Sequence, residues 1–127
     1  ETPRLVGIIS AGKKMAYSVP ARKETRFMVV GETASFLDAN VSAGKTYHVK
    51  VTPYWGVFGT RFFLKAMAPG DPDLKKQVDG CDWVETLPSA QEAVAGDMES
   101  VKSKMAEYMP KWEQNNDRHS LTPSDGR

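Results

Sequence analysis

Apolar residues along this chain keep two different rhythms: every second position before Pro69, the period of a β-strand, and every third or fourth after Pro88, the period of an α-helix. The clearest strand covers residues 46–52. Tyr47, Val49 and Val51 fall on one side, and Thr46, His48, Lys50 and Thr52 on the other. That pattern predicts an antiparallel strand with one wet face. Residues 60–67 predict its partner, with Phe62, Leu64 and Ala66 on one face and Arg61, Phe63 and Lys65 on the opposite one. The stretch between them, 53–59, holds Tyr54, Trp55 and Phe58 with Gly56 and Gly59, and reads as a bulged hairpin loop. Upstream, residues 5–9 form a short apolar run before a turn at Gly12. Met15, Tyr17 and Val19 alternate with smaller residues as far as Pro20. Residues 25–30 are rich in β-branched and aromatic side chains, 34–37 suit a further short strand, and 38–44 are turn-rich.

Residues 68–73 break regular structure with two prolines, a glycine and two aspartates. The segment 74–87 accommodates one helical turn, and Trp83 is expected to cover part of the core. A helix is then predicted over 89–113. Ser89 and Glu92 stand at capping-box spacing, and Pro88 precedes them where no helical hydrogen bond is lost. Val94, Met98, Val101, Met105, Tyr108 and Trp112 draw one apolar stripe. Gly96 costs about 1 kcal/mol against alanine inside a helix, which predicts close packing there. Pro110 is expected to kink or end the helix. The polar residues 115–127 are expected to be loosely held. Met98, Met105 and Met109 suit core filling better than a cofactor box.

The 127 residues fit one domain, with 40% apolar and 26% charged residues as in ordinary globular proteins. The expected divisions are a β-rich core (1–70), an irregular connection (71–88), the helix (89–113) and a polar tail (114–127). The single cysteine, Cys81, rules out an internal disulfide and argues against a cysteine-built zinc site. The chain starts at Glu1, which reads as a trimmed start that a signal peptide could have preceded. No apolar run nears the ~20 residues of a membrane span. Net charge is only +1, yet it is unevenly spread. Residues 1–70 carry ten Lys/Arg against four Asp/Glu, and residues 71–127 carry seven against twelve. The plain reading is an acidic helical half docked on a basic β-core. The sharper one is a basic face left free for anionic lipid or glycan. The excess is too small to expect nucleic acid as a partner.

Candidate chemistry is thin. His48 and His119 have no partner at metal-ligand spacing, so no metal or other cofactor is expected. Residues 43–46, Ala-Gly-Lys-Thr, mimic the end of a phosphate loop, but the upstream glycine is missing and a strand follows instead of a helix. Glu32 lies near the β-core without a second carboxylate to split its protonation behaviour. Aromatic side chains bury large areas at little entropic cost, so Tyr54, Trp55 and Phe58 are the first candidates for contact, with His48 and Lys50 on the wet strand face beside them. The competing expectation is that the aromatic tip folds under the helix.

The run Gly44-Lys45-Thr46-Tyr47-His48-Val49-Lys50-Val51, then Gly56-Val57-Phe58 and the strand opening with Arg61-Phe62, resembles domain of unknown function 2846, as does the strand with Phe27-Met28-Val29-Val30. The resemblance covers about residues 14–67. Where that family tends to have a second aromatic after the tyrosine this chain has His48, and where it has a Pro-Gly turn this chain has Pro20-Ala21. The resemblance implies a small bacterial envelope protein, exported to the periplasm or outer membrane of a Gram-negative cell. It also implies lipidation of a cysteine upstream of Glu1. The expected fold is α+β and mainly β. It is an antiparallel β-sandwich or curved sheet, immunoglobulin- or transthyretin-like, with one C-terminal amphipathic helix. The expected role is non-catalytic binding or structure, with another envelope component as partner. The alternatives are a hydrolase inhibitor offering the hairpin loop, or an enzyme whose site is assembled from distant residues such as His48 and Glu32.

Overall fold

The computed structural model describes residues 3–21, 24–31, 33–56, 59–85, 87–114 and 120–126, with the backbone alone at 54–56 and 59–60. The fold is α+β. In chain order it runs β1 (Lys13–Lys14), β2 (Thr25–Val30), β3 (Ala34–Ala39), β4 (His48–Gly56), β5 (Gly59–Met67), α1 (Leu74–Asp79), β6 (Asp82–Trp83), α2 (Pro88–Gly96), α3 (Met98–Glu113) and β7 (Ser120–Leu121). A 3-10 turn at Pro123–Asp125 follows. Three small sheets form among the described residues: β2-β3-β7, the hairpin β4-β5, and the ribbon β1-β6.

β3 is the strand on which the packing turns. It pairs antiparallel with β2 and parallel with β7, and both of its faces are covered. Leu37 and Ala39 are buried on one face with Leu64 of β5 and Leu121 of β7. Phe27, Val29, Val41, Tyr47, Val51 and Ala66 close around them. Phe36, 1% exposed, looks the other way, toward α3, where the Trp112 ring meets it at 5.6 Å between centroids. The sheet β2-β3-β7 therefore lies between α3 and the hairpin. Burying side chains like these contributes on the order of 1.5–3 kcal/mol each before entropy.

α3 is fixed to the sheet by polar contacts as well. Arg26 of β2 donates to both carboxylate oxygens of Asp38 on β3, at 2.6 and 3.1 Å. Its guanidinium lies 4.9 Å from the Trp112 ring and reaches Glu113 at 3.7 Å. The hydrogen bonds Arg26 donates to Asp38 raise its pKa above the ordinary value. Lys104 Nζ donates to the Gly31 carbonyl at 2.6 Å, at the turn between β2 and β3. A Cβ at Gly31 would lie 2.9 Å from the Phe62 ring, so this turn and β5 approach too closely for a side chain.

The predicted single helix is two. α2 starts two residues earlier than the capping box required. Leu87 is the cap, its carbonyl taking the amides of Ala90 and Gln91, and Pro88 occupies the first helical position. Proline's fixed φ suits that place, so Ser89 falls inside the first turn and makes no cap bond. The helix then breaks at Asp97, at φ −104° and ψ 11°, immediately after Gly96. Close packing is not what Gly96 serves, since a Cβ there would meet nothing within 4 Å. Its weak helical preference ends α2, and the Asp97 carbonyl starts α3 by accepting from Ser100 and Val101. Pro110 does not end α3, which continues to Glu113. In the last turn a proline forfeits only one bond of the ladder, and the Pro110 carbonyl still accepts from Gln114. The stripe from Val94 to Trp112 is half-buried throughout, and neither helix has a fully buried residue.

Four further expectations change. Residues 5–9 and 15–19 carry no strand; Val6, Ile8 and Tyr17 are exposed, for alternation implies a wet side without supplying a pairing partner. Val49, on the inward side of β4, is still 38% exposed. Trp83 does not cover the core. It is 68% exposed on the β1-β6 ribbon, with the Lys14 ammonium 4.8 Å from its ring. The chain beyond α3 is tied down where it is described. Leu121 is 4% exposed, Asn40 donates its amide to the Leu121 carbonyl, and Asp125 accepts from the amide and hydroxyl of Thr122.

Candidate binding face

The hairpin is longer and its tip shorter than the sequence suggested. β4 and β5 pair from His48 opposite Met67 to Gly56 opposite Gly59, so residues 53–56 belong to the strand and not to a loop. Pro53 is accommodated because a two-stranded ribbon leaves an edge on which no amide is required. Trp55 stands opposite Thr60, and Tyr54 opposite Arg61. The side chains of Tyr54 and Trp55, and Phe58 altogether, lie outside the described residues, as do Glu32 and His119.

The inner face of the hairpin presents Val51, Leu64 and Ala66 to β3. Strand alternation therefore turns His48, Lys50, Thr52, Phe63, Lys65 and Met67 to the outer face, where Met67, opposite His48, is covered to 6% exposure. Lys50 is directly opposite Lys65, and both are exposed. Opposed residues hold their Cβ atoms about 5 Å apart, and like charges so placed repel. Neither lysine has an ion-pair partner among the described residues. Half-buried His48 is the next residue outward on the same side. The Thr52 hydroxyl is buried beside them without a hydrogen-bond partner among the described residues.

The structure thus brings two sequence candidates, His48 and Lys50, onto one face and adds Lys65, which had not been selected as a binding residue. The missing signal was register. Once Gly56 is known to face Gly59, Lys50 must face Lys65. The charge imbalance along the chain is only partly cancelled in three dimensions. Lys13 meets Asp82 at 3.3 Å and Arg26 meets Glu113 at 3.7 Å, both joining the basic half to the acidic one. The hairpin lysines are left out of that pairing.

Other chemistry is sparse among the described residues. No group of three or more His, Cys, Asp or Glu is placed to hold a metal ion. An open hollow of about 490 Å³ beside α1 is lined by Asp73, Lys76, Gln77, Gly80 and Cys81. Cys81 is a half-buried free thiol. No described helix is long and apolar enough to cross a membrane.

Fold and face together define an α+β protein that displays a cationic β-hairpin. Comparison with protein-family models, with curated proteins and with solved structures finds no match for the chain.

Proposed function

We propose that this chain is a non-catalytic binding or structural module of a bacterial envelope, and that the outer face of the β4-β5 hairpin is its contact surface. The observation that carries the reading is the exposed rung of Lys50 and Lys65, which has no ion-pair partner among the described residues, with His48 beside it. A like-charge rung weakens a ribbon, and it is relieved when an anionic partner binds across it. The aromatic sequence of the hairpin's far end, Tyr54 and Trp55, suits an interface in composition. The envelope setting, export, and membership of domain of unknown function 2846 rest on the resemblance of residues 14–67. In the same reading, the sheet β2-β3-β7 facing the hairpin is an abbreviated β-sandwich of immunoglobulin or transthyretin type.

The test is partition of the purified chain onto isolated Gram-negative envelopes. Lys50→Glu with Lys65→Glu, and separately Trp55→Ala, should each reduce the bound fraction while leaving the melting temperature within a few degrees. Undiminished partition by all of these variants would remove the hairpin as the contact surface.

A further inference from the structure

The face just described also indicates what it meets. Resting on that reading, we infer that the Lys50 and Lys65 rung docks on phosphate-bearing headgroups at the surface of an anionic bilayer. Two observations support this occupant. The two ammonium groups project from neighbouring strands at the same height on an extended ribbon, and no described acid neutralises them. The rung is also directed away from α3, because β2-β3-β7 stands between α3 and the hairpin. Juxtamembrane lysines attract an anionic leaflet individually and roughly additively, and the attraction fades within a Debye length.

The experiment uses the full chain with vesicles of equimolar phosphatidylglycerol and phosphatidylcholine, and with vesicles of phosphatidylcholine alone, read by sedimentation. The expected result is binding to the anionic vesicles only, reversed by high salt. Lys50→Gln combined with Lys65→Gln should weaken that binding roughly 30-fold, at about fivefold per lysine. Lys102→Gln with Lys111→Gln makes the same change in net charge on α3 and should leave binding as it was. Equal binding to both vesicle types, or a hairpin double variant that binds like the unaltered chain, overturns the inference. So does complete competition by millimolar inorganic phosphate, which would assign the face to a free anion. If the chain ignores anionic vesicles while its partition onto whole envelopes still requires the two lysines, the lipid surface is eliminated. The hairpin then contacts an acidic protein or glycan, and the function proposed above stands without it.

Discussion

The Tyr47 hydroxyl accepts the Ser42 amide at 2.8 Å and donates to the Pro123 carbonyl at 3.2 Å, while Lys45 Nζ reaches the same carbonyl at 3.5 Å. Gly126 lies against the ring so closely that a Cβ there would come within 2.6 Å of it. One side chain thus joins the turn before β4 to the segment after β7. Tyr47→Phe keeps the ring in the core and strips away both bonds. The expected loss is about 1–2 kcal/mol, seen as a lower denaturation midpoint at unchanged slope. From the sequence, Tyr47 was legible as an inward residue of a strand. Its hydroxyl partner was not, because Pro123 is remote in the chain and sat in a stretch whose polarity suggested looseness. Polarity of composition says little about a segment that is held by backbone carbonyls and by one buried leucine.

Among the elements, the hairpin could be read from alternation because it has one wet side, and β2 from its β-branched and aromatic residues ending at Gly31. The helical stripe was equally readable, as period 3.6 survives a break that shifts its register only slightly. The break itself depends on the pair Gly96 and Asp97, whose cost is small enough for packing to decide either way. Trp83 and Trp112 measure the difference between pattern and placement. Both are large and apolar, yet Trp83 is 68% exposed and Trp112 is half-buried between Phe36 and Arg26. Trp112→Ala should therefore cost about 2–3 kcal/mol, less than the 3–5 typical of a fully buried ring, by releasing α3 from β3. Trp83→Ala should stay within about 0.5 kcal/mol in the same urea titration. Reversal of that order would mean that the β1-β6 ribbon, and not α3, carries the tertiary packing. The candidate site was half legible for a related reason. His48 and Lys50 belong to a single strand, whereas Lys65 joins them only through pairing.

For the whole molecule, the layer order makes each part depend on the others. Residues 1–88 contain every strand but β7, yet they lack α2, α3 and Leu121. Phe36 would then face water on one side of β3, and Leu37 and Ala39 would lose Leu121 on the other. A fragment of residues 1–88 should bind hydrophobic dyes, associate, and show no sharp calorimetric transition. A monomeric fragment with a cooperative melt would contradict this layering. The parallel register of Ser120 with Asp38 has a consequence in time as well as in energy. A growing polypeptide emerges from the ribosome in order, so β3 is made about 80 positions before the strand that completes its far edge. Until then the nascent chain holds an open oily seam. Newly made molecules should accordingly be most vulnerable to proteases and most in need of chaperones just before residue 121 emerges.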